Sequence, residues 1–397
     1  MKRVPVSEVV EINPRLPAAQ RKSGDQPVSF VSMADVSEGG FVVTYQTRRK
    51  SDVVKGYTYF GRGDVLTAKI TPCMQNGKAA VLDAMPHEFG FGSTEFHVLR
   101  PKQGIDARYI FHMIWSPYFR SAAELSFTGT AGQQRVPTDF FNRFEIPLPA
   151  LSEQKRIAGI LDQADGLRRK RQQALALTDQ FLRSTFLDLF GDPVTNPKQW
   201  PVVCLNDLFV EMKYGTSTKC TESRDGDALP VLRIPNVVGG QVNRENLRFA
   251  SLPNNETAKL RLKVGDMLFV RTNGNPDYIG RCAVFDGGDA TLFASYLIRA
   301  RIGKDAKCRA HFLKDLMSFP TYRSVVLRVA RTTAGNYNMS TQGLKDLRLP
   351  LPPTALQDRY LTIANHMNGL RTKASSDSQH LDALFDSLVQ RAFRGEL

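Results

Sequence analysis

Pro147-Leu148-Pro149-Ala150-Leu151-Ser152-Glu153-Gln154-Lys155-Arg156-Ile157 decides how this chain is read, because much of it occurs twice. Leu349-Pro350-Leu351-Pro352-Pro353-Thr354-Ala355-Leu356-Gln357 returns 203 positions later, with Leu356 where the first copy has Glu153. Working outward, Gln154-x-Arg156 recurs as Gln357-x-Arg359, and Thr130-Ala131-Gly132 as Thr333-Ala334-Gly335, both at 203. Gly63-Asp64-Val65-Leu66 recurs as Gly265-Asp266-Met267-Leu268 at 202. Matches in the same order at nearly one offset mean an internal duplication, and a duplication fixes the architecture before anything else.

Each half has two parts. The first is rich in Gly, Pro, Thr, Val and Phe, with short strand-like runs such as Gly40–Tyr45 and Phe96–Leu99 between turn residues. One helical pattern interrupts it, Arg108–Trp115 in the first half and Arg309–Met317 in the second. The second part follows the Pro-Leu-Pro junction and is free of proline to about Phe190, or from Thr354 onward. Ser152 can cap the first of these helices, with Glu153 favoured by the helix dipole. Thr354-x-x-Gln357 has the pattern of a capping box. Apolar residues recur every 3.5 positions: Ile157, Ile160, Ala164, Leu167, Ala174, Phe181 and Leu189, broken by Arg171 and Thr178. In the second helix they are Tyr360, Ile363, Met367, Leu370, Ala374, Leu381, Leu384 and Leu388, broken by Asp377. That period is the mark of a coiled-coil seam. The expected fold is α+β. Two pseudo-repeated mixed α/β domains (1–150 and 191–352) alternate with two long helices (151–190 and 353–397), which pair as an antiparallel coiled coil.

Composition narrows the function. The 397 residues carry 53 Lys+Arg against 39 Asp+Glu, a formal charge of +14, which suits a polyanionic partner without identifying it. No run of ~18 apolar residues is present, and Met1–Glu8 lacks an apolar signal core, so a cytoplasmic location is expected with no membrane partner. Cys73, Cys204, Cys220, Cys282 and Cys308 form no C-x-x-C pair, which argues against a disulfide framework or a zinc site. A phosphate-binding Gly-x4-Gly-Lys-Ser/Thr loop and an H-E-x-x-H motif are both lacking. Asn275-Pro276-Asp277-Tyr278 resembles the Asn-Pro-Pro-Tyr motif of DNA amino-methyltransferases, and Phe89-Gly90-Phe91-Gly92 resembles a glycine-rich methyl-donor loop. The first has Asp277 in place of proline, the second does not lead from strand to helix, and the two lie in different repeats. A turn is the plainer reading of Asn-Pro-Asp. No catalytic or metal-binding residues are expected.

The polar loops suit DNA better. Arg pairs bidentately with guanine and Asn or Gln with adenine, while Lys and Thr serve phosphates. In the first repeat the candidates are Lys69, Thr71, Gln75, Asn76 and Lys78, then Thr128, Thr130, Gln133, Gln134 and Arg135. In the second they are Arg271, Asn273, Asn275 and Arg281, then Thr332, Thr333, Asn336, Tyr337 and Asn338. The loops match in place and differ in residues, as two readers of different sequences would.

The junction Pro147–Ile157 resembles the P-L-P-x-L-x-E-Q-x-x-I segment of type I restriction–modification specificity (S) subunits. Ile160-Leu161-Asp162, Phe190-Gly191-Asp192-Pro193 and Arg391-Ala392-Phe393-Arg394-Gly395 are also similar to that family. The resemblance implies a non-catalytic adaptor with two target recognition domains, each reading half of a split double-stranded DNA site. It implies helices that set the spacing and dock two methyltransferase (M) subunits, joined by restriction/translocase (R) subunits. S-adenosylmethionine, ATP and Mg would then belong to those partners, with no cofactor in this chain. The alternatives are a specificity-like DNA-binding adaptor of another phage-defence system and a DNA methyltransferase with a degenerate motif.

Overall fold

The computed structural model describes residues 2–22, 24–130, 132–237, 239–333 and 336–397, with the side chains of 331–333 and 375–379 also outside the description. The chain forms two compact units, one of Met1–Gln173 with Ser375–Leu397, the other Ala174–Ala374. Both long helices pass from one unit into the other.

In the first unit a four-stranded antiparallel sheet has the order Val10–Ile12, Phe96–Pro101, Val65–Ala68, Ala79–Val81. A second sheet orders Gln46–Arg49, Pro27–Val31, Phe89–Gly92 and Thr58–Gly61, the middle pair parallel. A ribbon joins Arg3–Pro5 to Glu145–Pro147. The second unit repeats the plan: Phe209–Tyr214, Leu297–Ile302, Met267–Val270, Cys282–Val284 in one sheet. Arg248–Ala250, Leu229–Leu232 and Leu292–Phe293 form the other, and Val202–Cys204 pairs with Arg348–Pro350. Phe89–Gly92 is therefore a buried strand between two neighbours, not a cofactor loop. Gly40–Tyr45, expected as a strand, is a turn closed by one isolated bridge, Val36 to Val42; the two glycines before Phe41 favour the turn.

The repeated Gly-Asp closes a turn in each unit. The Asp64 carboxylate accepts from Gly61 N at 2.7 Å and binds Arg100 through two hydrogen bonds of 2.8 Å. Asp266 accepts from Lys263 N at 2.8 Å and binds Arg301 at 2.7 and 2.8 Å.

The repeated glutamine has its own reason. Gln154 accepts from Asp106 N at 2.9 Å and donates to the carbonyls of Pro149 at 3.0 Å and Gly104 at 3.4 Å. Gln357 accepts from Arg309 N at 2.8 Å and donates to Pro352 and Lys307 at 2.8 and 2.9 Å. Every partner is displaced by the same 203 positions as the glutamine. Gln357 therefore does not close a capping box; its amide ties the helix to the preceding domain. Ser152 lies inside the helix, which begins at Leu151. Gln357→Ala is expected to cost the second unit about 2–3 kcal/mol, because Arg309 N–H and two carbonyls lose a buried partner. Denaturant unfolding of the variant measures this, and a loss within error of zero would reject the clamp.

The long helices are Leu151–Phe190, 40 residues, and Thr354–Arg394, 41 residues, each roughly 60 Å at 1.5 Å per residue. In the second unit Asp179 pairs with Arg371 at 3.4 Å, while Phe186 lies 5.5 Å from Tyr360 between ring centres, so the helices run antiparallel. In the first unit Arg168 donates to Asp382 at 2.7 Å, and its guanidinium lies over Phe385.

The 3.5-residue stripe needs correction. Leu167, Phe181, Leu370 and Leu384 are 56, 49, 48 and 53% exposed. The buried lines are Gln154, Ile157, Ala158, Leu161, Asp165 and later Phe186 and Phe190 in the first helix, then Gln357, Tyr360, Ala364, Phe385, Val389, Ala392 and Phe393 in the second. The cause is what each helix packs on. Ile157, Ala158, Leu161, Phe385, Val389 and Phe393 enter the core of the first unit, and Phe186, Phe190, Tyr360 and Ala364 that of the second. A globular surface, not only the partner helix, selects the buried face. Arg168, Asp382, Asp179 and Arg371 supply polar contacts between the helices. Asp377 falls among the side chains outside the description.

Candidate nucleic-acid interface

The two loop stretches named from each half come together in space. In the first unit Thr71 N donates to Gln134 O at 2.9 Å, Val136 N to Lys69 O at 2.9 Å, and Ile70 bridges Arg135. In the second unit Met339 N donates to Arg271 O at 2.8 Å. There Thr272–Asn273 pairs with Asn336–Asn338, which pairs with Arg331–Thr333, making a three-stranded sheet. Ile70 to Arg135 and Thr272 to Asn338 are the same contact displaced by 202 and 203 positions. The duplication thus reproduces the backbone of the site, while its side chains differ.

Within the first site several candidates turn inward. Lys78 Nζ donates to Met33 O at 2.9 Å, and Thr71 Oγ1 is buried. Arg135 binds both Glu95 oxygens at 2.9 Å, and this pairing holds the Glu95 carboxyl below its usual range. These three build the loop pair. Gln75, Asn76, Thr128, Thr130 and Gln133 are exposed, whereas Lys69 and Gln134 are half-buried. Asn76 reaches Glu38 at 2.8 Å.

In the second site Asn273 Oδ1 accepts from Asn275 N at 2.8 Å, and Asn275 Oδ1 from Asp277 N at 2.9 Å. Pro276–Tyr278 is one turn of 3-10 helix. Asn275, the residue that would hold a target amino group in a methyltransferase, instead caps this turn. Arg281 stacks 4.5 Å over Tyr278 and donates to Asp277 O at 2.7 Å. Asn336 is exposed, Tyr337 packs partly on the core, and Asn338 Nδ2 reaches Asn336 O at 3.5 Å. The Thr332 and Thr333 side chains lie outside the described residues.

One part of this surface was missed. Arg271 sits 4.5 Å over the Tyr214 ring and donates to Ser295 O at 3.3 Å. Ser295 borders a polar cleft lined by Thr216, Thr218, Lys219, Arg233, Arg248 and Tyr296, where the buried Arg233 Nε has no hydrogen-bond partner. The signal was present in Thr216-Ser217-Thr218-Lys219, a hydroxyl run ending in a cation. Among the described residues no group of His, Cys, Asp or Glu is placed to hold a metal ion, and no helix is long and apolar enough to cross a membrane.

Comparison with known proteins agrees with this architecture. Residues 1–177 match the type I restriction modification DNA specificity domain. The EcoKI specificity subunit of Escherichia coli K12 is 26% identical over 396 residues, covering 94% of this chain and 83% of that protein. The EcoAI specificity subunit of Escherichia coli is 39% identical over 156 residues, 38% of this chain but only 26% of that protein. The S subunit of a type I system from M. genitalium superposes with a TM-score of 0.60 at 12% identity, over 99% of this chain and 96% of that one. A chain from a study of type I R-M complex assembly gives 0.54 at 19% identity, over 100% and 98%. The fold is that of an S subunit. Residues 1–177 thus match the specificity domain of type I restriction–modification systems, and the chain spans about a quarter of the length of the EcoAI specificity subunit it resembles.

Proposed function

We propose that this chain is the non-catalytic recognition subunit of a type I restriction–modification complex in the cytoplasm. Each unit reads one half of a bipartite double-stranded DNA site through its paired loops. The long helices set the spacing and dock two M subunits, and R subunits complete the assembly. S-adenosylmethionine, ATP and Mg serve the partners. One observation carries the reading: the same two loops meet through the same backbone contacts in both units, yet present Gln75, Thr130 and Gln133 in one and Asn275, Arg281 and Asn336 in the other. A duplicated frame with divergent polar tips suits two readers of unlike sequence.

The test is selection from a random duplex pool by the chain assembled with its M subunits. Two short sequence blocks at a fixed separation are expected, with log affinity falling by ~0.9 per log salt for each phosphate neutralised. Enrichment of a single block, or of none, rejects the reading. Methyl transfer to DNA by the purified chain alone would instead support an enzyme.

A further inference from the structure

The units share another device, which lies behind the loops. In the first unit the helix Pro117–Glu124 carries Arg120; in the second, Pro320–Arg328 carries Arg323. Both the leading proline and the arginine recur at 203. Arg120 Nη1 donates to the Gln75 carbonyl at 2.9 Å, and Trp115 Nε1 to the Gly77 carbonyl at 3.0 Å. Arg323 Nη2 donates to the carbonyls of Ile279 at 2.6 Å and Asp277 at 3.2 Å. These carbonyls lie at the end of the loops 69–78 and 271–281, around two glycines 203 positions apart. Gly77 has φ +80° and Gly280 φ +66°, a left-handed turn in both units. A Cβ on Gly77 would lie 3.0 Å from Arg120 Nη1, and one on Gly280 would lie 2.4 Å from Val326 and 3.6 Å from Arg323 Nη1.

Neither arginine is placed for stability alone. Arg120 Nε and Arg323 Nη1 are buried with no hydrogen-bond partner. Burial lowers both guanidinium pKa values, the expected result where carbonyl oxygens stand in for a carboxylate. Desolvating a guanidinium held by carbonyl oxygens rather than by a paired carboxylate is costly, so the return lies in what it holds. We propose that Arg120 and Arg323 are positioning residues for DNA recognition, each clamping the main chain of one reading loop from behind. The clamp fixes the glycine turn and so presents Gln75 and Asn76, or Asn275 and Arg281, in one arrangement. In the first unit Trp115 shares the grip. The residue 203 positions later is Ser318, whose hydroxyl donates to Lys314 O at 2.9 Å, so Arg323 holds its loop without that help.

The inference rests on the DNA reading above, and the test separates the two. Wild type, Arg120→Ala, Arg323→Ala and Arg323→Lys are assembled with M subunits and taken through the random-pool selection. The same chains, free of DNA, are followed by amide hydrogen exchange. Arg323→Ala is expected to weaken base discrimination about tenfold at one half-site and leave the other intact, the scale of re-ordering several loop side chains on binding. Arg120→Ala does the mirror image, more weakly. Arg323→Lys, with a single ammonium for two carbonyls, falls between. Exchange should quicken at 271–281 in Arg323→Ala while the strands 267–270 and 282–284 keep wild-type protection. Unchanged loop exchange, or loss spread equally over both half-sites and the core strands, overturns the clamp. If wild type selects no bipartite sequence, the DNA reading fails, and the exchange result still decides the clamp.

Discussion

Asp266→Ala is expected to destabilise the second unit by about 3–5 kcal/mol, the scale of removing one partner from a buried ion pair. Asp266 is 1% exposed, binds Arg301 through two hydrogen bonds and closes the Lys263 turn. Arg301 also reaches Glu211 at 2.9 Å, and the same Glu211 oxygen takes Arg299 at 2.6 Å. Arg299 is 1% exposed. Burial pushes the Glu211 carboxyl up, but hydrogen bonding to Lys213 and the charges of Arg299, Lys213 and Arg301 outweigh it and hold the group below its usual range. Without Asp266, two arginines in the sheet share one carboxylate. Asp64→Ala in the first unit should cost less. The sheet position opposite Leu66 is Val98, where the second unit has the buried Arg299 opposite Leu268, so no second arginine is left sharing a carboxylate. Trp115 reports on the first unit and Trp200 on the second, so denaturant unfolding can follow each. Equal losses for the two variants would refute the network argument.

Acid should weaken the first unit through a single histidine. His97 is 3% exposed, its Nε2 lies 2.8 Å from Val136 O, its Nδ1 lies 3.2 Å from Asn13, and its ring meets Phe141 edge-on. Burial pushes its pKa down to about 4, with the Lys69 charge adding to this and the Val136 carbonyl and Glu95 opposing it. The unfolded chain binds a proton near pH 6.5 that the folded unit refuses until about pH 4. Stability is therefore full above pH 6.5 and falls through the interval down to about 4, by about 3 kcal/mol. Urea unfolding followed at Trp115 should show that slope, and His97→Gln should flatten it between pH 6.5 and 4. An unaltered slope in the variant would assign the acid sensitivity to carboxylates such as Glu95. Because Val136 follows the loop hairpin, the same protonation is expected to loosen the paired loops 69–78 and 128–135 of the first unit.

Legibility in the sequence followed the range of the interaction. The duplication was readable because Asp64 and Asp266, like Gln154 and Gln357, keep the same kinds of partner in both halves: a turn amide and an arginine for the aspartates, a backbone amide, a junction carbonyl and a domain carbonyl for the glutamines. Helix existence was readable from the proline-free runs. Which face the helices bury was not, because Phe186 is selected by Phe312 and Phe319, more than a hundred residues away. A one-position drift along a 3.5-residue stripe leaves no local trace. The two polar loop stretches that meet in each unit stood out by composition, yet composition could not separate exposed Gln75 from Lys78, whose ammonium is spent on Met33 O. The cleft beside Tyr296 was missed because Thr216, Arg233 and Tyr296 converge from three separate segments.

The division of the two long helices between the units also sets an order of assembly. The second unit is one continuous stretch, Ala174–Ala374, and has every core residue it needs once that stretch is made. The first unit does not: Phe385, Val389, Ala392 and Phe393 belong to its core. During synthesis at ~5–20 residues per second, the N-terminal domain waits roughly 10–40 s for the segment that seals it. The part made first is therefore finished last. Through that interval the surface around Tyr109 and Trp115, which later receives Phe393 and Phe385, stays open to chaperones and to early partners.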